Sequence, residues 1–191
     1  MIEYEKQSFS KESFAELSDV NGAEFYSCTF SGIETAQLAG AKALRFIECR
    51  FERCNLSNLN LTGFTFRDTH FEGCKLVGLN WSLCRSLVGP VFKDCKIDMS
   101  SFQGLHLRDF RCVESSARDV EFSQAVLVKS SFGETSLNGA SFNGADLTDA
   151  DFRTATGYSI HPLHTKVKGA RFTYPEALVL LSALGVRVDT H

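Results

Sequence analysis

Apolar side chains recur at every fifth position along most of this chain. From residue 92 to residue 152 they are Phe92, Ile97, Phe102, Leu107, Cys112, Ala117, Phe122, Leu127, Phe132, Leu137, Phe142, Leu147 and Phe152. Two residues before each of the later ones stands a small side chain: Ala125, Ser130, Thr135, Ala140, Ala145 and Ala150. The positions between are mostly polar. A period of five is neither the 3.6 of a helix nor the 2 of a strand. One side chain in five can point inward only if the chain turns a corner every five residues. Four corners make a square coil of twenty residues, and stacked coils join by backbone hydrogen bonds at a spacing of about 4.8 Å. The pattern therefore predicts an all-β solenoid, a right-handed quadrilateral β-helix.

The same phase runs upstream through Phe46, Phe51, Leu56, Leu61, Phe66, Phe71, Leu76 and Trp81, and appears earlier as Val20, Phe25 and Phe30, preceded by Ser18, Ala23 and Cys28. It slips by one residue twice, between Phe30 and Phe46 and between Trp81 and Phe92. Loops are expected near 31–45 and 82–91, the second marked by Gly89-Pro90. With one extra residue allowed at each slip, side chains one coil apart sort by type. Phe51, Phe71, Phe92, Cys112, Phe132 and Phe152 form one column, Leu56, Leu76, Ile97, Ala117 and Leu137 a second. Leu61, Trp81, Phe102, Phe122 and Phe142 form a third, and Phe66, Leu107, Leu127 and Leu147 a fourth. Residues 1–19 hold no clean register and read as a cap over the first open edge. Val167 and Phe172 return to phase, so the solenoid is expected to span 1–172.

After Phe172 the texture changes. Thr173-Tyr174-Pro175-Glu176 has the form of a capping box with Pro in the first turn. Ala177, Leu180, Leu181 and Leu184 share one helical face, and Gly185 is placed to end the helix. Val186 and Val188 alternate with Arg187 and Asp189 as in a short strand. Residues 173–191 are thus a helix and strand. Leu178, Leu180, Leu181, Leu184, Val186 and Val188 carry more apolar surface than capping one coil needs, and an isologous homodimer through this end is expected.

Composition narrows the function classes. The chain has 191 residues, 20 Lys+Arg against 23 Asp+Glu and a formal net charge of −3, so it is no obvious nucleic-acid binder. The opening MIEYEKQSFS carries no signal-peptide pattern, and no apolar run is long enough to cross a bilayer. A cytoplasmic protein with reduced thiols follows as the expectation. The seven Cys show no zinc-site spacing, and Cys54, Cys74 and Cys95 fall in one column of small inward positions. Cys84, inside the second slip, is the one thiol expected to be exposed. His70, His106, His161, His164 and His191 are scattered, and no nucleophile–base set or phosphate-binding glycine loop appears. No catalytic residue, metal ligand or cofactor is expected, and the protein reads as no enzyme.

Two kinds of surface stand out for partner binding. Glu52, Glu72, Asp94, Glu114 and Glu134 are placed along one face beside the Phe column, with Asp151 near its end. This is either a solvated face, since residues 20–152 hold 16 acidic against 13 basic residues, or an acidic stripe that imitates a DNA backbone. The slips are the other candidates, because a regular rod is self-similar and its irregularities carry recognition. The first presents Glu34, Gln37 and Lys42, the second Leu83, Arg85, Ser86 and Leu87. Leu83, Leu87 and Val88 have no evident core slot.

The copies Ala-Ser-Phe-Asn-Gly, Ala-Asp-Leu-Thr-Asp and Ala-Asp-Phe-Arg-Thr, residues 140–154, resemble the Ala-(Asp/Asn)-Leu-x-x motif of the pentapeptide repeat family. The resemblance covers about residues 20–172. Copies between 46 and 122 often carry Cys, Leu, Phe or Thr where the family prefers Ala. A rod with two slips ending in VKGARFTYPEALVLLSALGV is also similar to the topoisomerase-protecting branch that includes Qnr, AlbG and McbG. That branch implies a C-terminal helix that dimerises and an acidic rod that competes with DNA. The implied partner is DNA gyrase or topoisomerase IV, shielded from a poison in resistance or self-immunity. A generic protein-interaction scaffold or effector is the alternative.

Overall fold

The computed structural model describes residues 2–17 and 20–188. Ser18, Asp189 and His191, which figure in the expectations above, lie outside the described residues. Along the chain run β1 (Glu3–Glu5), β2 (Ser8–Ser10), α1 (Lys11–Ala15), β3 (Glu24–Tyr26), β4 (Thr29–Ser31), α2 (Thr35–Leu38), β5 (Arg45–Ile47) and β6 (Arg50–Glu52). Then come β7 (Thr65–Arg67), β8 (His70–Glu72), a 3-10 turn (Trp81–Leu83), β9 (Ser86–Val88), β10 (Val91–Lys93), β11 (Arg111–Val113) and α3 (Leu178–Ala183).

All strand pairs are parallel, and each strand pairs with its counterpart one coil away. One sheet has the order β1-β3-β5-β7-β9; the other is β11-β10-β8-β6-β4-β2. The remaining sides are held by single parallel bridges, Asn55 to Lys75 to Lys96 to Ser116 to Ser136 on one side and Asn80 to Ser101 to Glu121 to Ser141 on another. This is the right-handed quadrilateral β-solenoid that the five-residue period predicts. The corners are backbone turns, many built by residues with φ near +50° to +60°, among them Asp94, Glu114, Glu134 and Asp149.

The core is a set of ring columns. Phe9, Phe30, Phe51, Phe71 and Phe92 stack with centroids 4.7–5.3 Å apart. Tyr4, Phe25, Phe46 and Phe66 stack beside them, and Trp81, Phe102, Phe122 and Phe142 form a third stack. Neighbouring columns meet edge to face, as at Phe25–Phe30 (5.2 Å, 78°). Both arrangements suit the ring quadrupole. Each buried ring contributes about 1.5–3 kcal/mol through removal from water.

Residues 3–17 are not a cap without register. Tyr4 lies opposite Phe25 and Phe9 opposite Phe30, so this segment is the first coil of the solenoid. Its partners lie twenty-one residues away because α1 inserts one extra residue, a third slip that hides the phase. The 31–45 segment is likewise no bulging loop. There α2 packs Leu38 inward, with Ile33 and Leu44 buried on either side. At the last slip the extra residue sits in the 3-10 turn, and β9 resumes the sheet at once. Each slip is one helical turn at one side of a coil. It absorbs the extra residue and leaves the ladders on the other sides unbroken, as a bulge does for a strand pair.

The solenoid closes at residues 156–172. Tyr158 and Ile160 are buried there, and Phe172 stacks on Phe152 at 5.3 Å. The expected capping box is absent. The Thr173 hydroxyl donates to the Arg153 carbonyl of the coil beneath, and α3 begins only at Leu178 with Ala177 as its N-cap. Gly185 does end the helix at φ 76°. Its N–H donates to Ser182 O and that of Val186 to Leu181 O, which is a Schellman cap. Val186–Val188 form no strand.

Candidate functional site

The five carboxylates expected on one stripe fall in two adjacent rows. Glu52 lies opposite Glu72, but Glu72 lies opposite Lys93, not Asp94. The slip at Trp81–Leu83 makes that step twenty-one residues, which brings Lys93 into the row. Asp94, Glu114 and Glu134 lie one residue further on, each at a left-handed corner with φ of 51°, 52° and 53°. The corner geometry turns them outward, and all three are exposed.

The rows differ electrostatically. Glu72 is paired with Arg50 at 3.0 Å and Lys93 at 3.7 Å, and Glu52 meets Arg53 at 3.8 Å. Asp151 is held by Arg153 at 2.7 Å and approached by Arg171 at 3.9 Å. The Arg153 hydrogen bond holds the Asp151 carboxyl below its ordinary range. Asp94, Glu114 and Glu134 have no ion pair among the described residues. Of the predicted stripe, these three carry the unpaired charge, and Glu52, Glu72 and Asp151 are locally neutralised. Glu48, Asp68, Asp109 and Asp149, exposed at left-handed positions of another corner, likewise have no ion pair among the described residues.

At the first slip Glu34 and Gln37 work for the fold. The Glu34 N–H donates to Gln37 Oε1 at 2.9 Å in a reciprocal cap of α2. The Glu34 carboxylate also pairs with Lys11 of α1 at 2.8 Å. Lys42 is exposed, its N–H bound to Asn21 Oδ1 at 2.8 Å. At the second slip Leu83 is 47% exposed, Arg85 is exposed and Ser86 is half-buried. Leu87 corrects the sequence reading. It is 8% exposed and lies opposite Phe66 in the fourth column, so it fills a core slot and presents nothing to a partner. The apolar residues that do face outward here are Leu83 and Val88.

Cys84 is partly buried against the core, and burial pushes its thiol up to about 12. It is not the exposed, reactive cysteine expected from its place in the slip. Cys54, Cys74 and Cys95 share one column, and the Cys54 N–H donates to Cys74 Sγ at 3.3 Å. Among the described residues no His, Cys, Asp and Glu group could hold a metal, and no helix is long and apolar enough to cross a membrane.

At the C-terminal end Leu180 and Val179 lean on the core, and Leu178 is half-buried. Leu181, Leu184, Val186 and Val188 are 39–46% exposed, and Tyr174 is 71% exposed. The helix thus covers the last coil with one side and offers an apolar patch with the other.

One grouping escaped the sequence reading. Arg45, Arg67 and Arg85, with Thr65 and Ser86, line one notch of about 260 Å³ on the β5–β7–β9 sheet. The three arginines are 22 and 18 residues apart, off the twenty-residue stacking, so no column contained them.

The pentapeptide repeat family matches eight copies in this chain, over residues 49–80 and 118–153. No curated protein matches it by sequence. Among solved structures, a trypsin-treated variant of QnrB1, a plasmid-mediated fluoroquinolone resistance protein, aligns over 98% of both chains at TM-score 0.62 and 13% identity. Full-length QnrB1 aligns over 96% of this chain and all of its own at TM-score 0.52 and 15% identity. HetL, involved in heterocyst differentiation regulation in the cyanobacterium Nostoc sp. strain PCC 7120, aligns over 88% of this chain and 84% of its own at TM-score 0.53 and 16% identity. These likenesses are of fold.

Proposed function

We propose that this pentapeptide-repeat protein shields a bacterial type II topoisomerase, DNA gyrase or topoisomerase IV, from a poison by occupying the enzyme's DNA-binding groove. The observation that carries the reading is the corner of Asp94, Glu114 and Glu134. Three unpaired carboxylates stand one coil apart, about 4.8 Å by the strand spacing. Each strand of duplex DNA carries one charge per roughly 3.4 Å of axis. The corner is thus a linear array of negative charge of comparable density on a rigid rod. A groove built to bind phosphates attracts such an array. The full-length likeness to QnrB1 and the resemblance of the C-terminal segment to the topoisomerase-protecting branch support the same reading.

In this reading the protein performs no chemistry. The ladder sets the charge spacing, Leu83 and Arg85 at the second slip select the partner, and the apolar end around Leu181 joins two copies into a longer rod. The test is a gyrase supercoiling assay with and without a fluoroquinolone, albicidin or microcin B17. Added protein is expected to restore supercoiling against at least one poison. Absence of rescue against all of them, with topoisomerase IV as well as gyrase, would leave the reading without support.

A second reading, an interaction scaffold with another protein partner, is favoured by one observation. Glu52, Glu72 and Asp151 are neutralised in place, so the face beside the Phe column is not a continuous acidic stripe. Binding of an unrelated protein through the slips, with no gyrase affinity, would select it.

A further inference from the structure

The notch on the β5–β7–β9 sheet has the chemistry of an oxyanion site. Its lining is Arg45, Arg67, Arg85, Thr65, Ser86 and the small residues Ala43 and Gly63. Arg45 is already paired, its Nη1 lying 2.6 Å from Oε1 of the buried Glu24. The Tyr26 hydroxyl donates to the other oxygen of that carboxylate. Arg67 and Arg85 are exposed and have no ion pair or side-chain hydrogen bond among the described residues. They leave the notch with two uncompensated positive charges.

A second observation points to a ligand. Thr65 is only 7% exposed, and its N–H is used by Leu44 O at 2.9 Å. Its hydroxyl has no partner among the described residues, yet the residue lines the cavity. Ser86, in register with Thr65 on the next strand, supplies a second free hydroxyl at the same wall. The Thr65 hydroxyl is not sealed away from solvent, as Trp81 Nε1, Ser130 Oγ and Tyr158 Oη are, but opens into the arginine-lined notch, where it is free to donate to an acceptor.

We propose that this notch binds the phosphoryl group of a small phosphorylated molecule. A phosphate monoester carries close to two negative charges at neutral pH, since its second pKa is about 6. That matches the two free guanidiniums, where a single carboxylate would leave one charge over. The oxygens of a phosphoryl group can accept from two guanidinium forks and two hydroxyls together. The cavity has room for the phosphoryl group and the first atoms of what carries it. The extra residue at Trp81–Leu83 sets Ser86 opposite Thr65 and Arg85 one residue before it, its N–H donating to Phe64 O at 2.8 Å. The proposal does not depend on the topoisomerase reading.

The experiment is an NMR titration of the whole protein at constant ionic strength, following the arginine side-chain Nε–Hε resonances. Inorganic phosphate is expected to shift Arg67 and Arg85 saturably, and a simple phosphate monoester to do so at least as tightly. Acetate and chloride should not. Arg67→Gln with Arg85→Gln should abolish saturation, whereas Lys75→Gln with Lys168→Gln, the same charge change elsewhere, should leave it intact. Thr65→Ala should weaken binding about tenfold, as loss of one hydrogen bond to a charged group does. The proposal is overturned if phosphate gives no saturable shift, if acetate matches it, or if the double arginine variant binds as wild type does. A short DNA duplex that competes with phosphate for the notch would also overturn it, by identifying the occupant as nucleic acid.

Discussion

Phe110 and Cys112 exchange sizes. At every other level of this ladder from Phe30 to Phe152 the ring stands in the slot and the smaller side chain two residues before it. Here Cys112 occupies the slot between Phe92 and Phe132, and Phe110 holds the preceding position. Its ring bridges the gap, 5.7 Å from Phe92 and 5.8 Å from Phe132. Both residues are essentially fully buried. The column stays filled because volume is conserved, not because the motif is.

That relationship predicts a compensating pair. Phe110→Ala should open a cavity and cost about 3–5 kcal/mol in chemical denaturation. Adding Cys112→Phe should restore most of it, since volume-conserving core exchanges cost little. A double variant no more stable than the single would show that the two sites do not share one space.

The acidic corner and the paired row should behave differently. Asp94→Asn, Glu114→Gln and Glu134→Gln together are expected to weaken gyrase binding about tenfold or more and to flatten its salt dependence. Glu52→Gln with Glu72→Gln should change affinity no more than a few-fold, because exposed ion pairs already offset those charges. Binding measured at two salt concentrations distinguishes the rows.

Leu83 and Leu87 are predicted to separate recognition from stability. Leu83→Ser should lower rescue in the supercoiling assay while the melting temperature stays within experimental scatter. Leu87→Ser should destabilise by roughly 2–4 kcal/mol, as polar substitution in a filled slot does. Removing the whole 83–88 segment would confuse the two, since it takes out β9.

Leu181→Glu with Leu184→Glu should convert the expected dimer to monomer, read by light scattering, with the solenoid circular dichroism unchanged. An unchanged mass would place the dimer contact, if any, elsewhere.

The thiols give a chemical check on burial. Cys49, Cys74, Cys84 and Cys112 are each pushed up to about 12, with burial the main cause except at Cys74, where the hydrogen bond with Cys54 pulls the thiol down but is outweighed by the hydrogen bond with Cys95 and by burial. At pH 8 about one in ten thousand of each is thiolate, since each pH unit below the pKa is a factor of ten. A thiol reagent should therefore label the native protein slowly and the denatured protein fully. Rapid native labelling of Cys84 would show that the second slip opens.

Much of the fold was legible because a solenoid is nearly one-dimensional. Each repeat meets only its neighbours, so Phe92 and Phe102 announce their slots by spacing alone. Tyr4 and Phe9 were not legible as core. The helical turn α1 adds one residue between them and the next coil, and a period search loses phase there. Leu87 looked surplus for the same reason. Its column partner Phe66 is twenty-one residues away, and only the β7–β9 pairing shows it.

The surface was legible as residues but not as rows. Sequence spacing put Asp94 beside Glu72, whereas the ladder puts Lys93 there. Charge balance along a row depends on single-residue register, because adjacent residues at a corner belong to different rows. The Arg45, Arg67 and Arg85 notch zigzags across three coils, with Arg67 two residues ahead of the Arg45 register and Arg85 one behind it, so no periodic reading could assemble it.

The five-residue period by itself determined the solenoid, its four sides and its ring columns, and the separate 3.6-residue pattern after Phe172 determined the closing helix. These follow from where apolar side chains must point. Only the tertiary structure decided that the slips are helical turns, that Phe110 does the work of Cys112, and which carboxylates stand unpaired. It also decided that three arginines share a notch. Those facts depend on which coil faces which, a relation set by backbone hydrogen bonds between residues twenty or twenty-one apart.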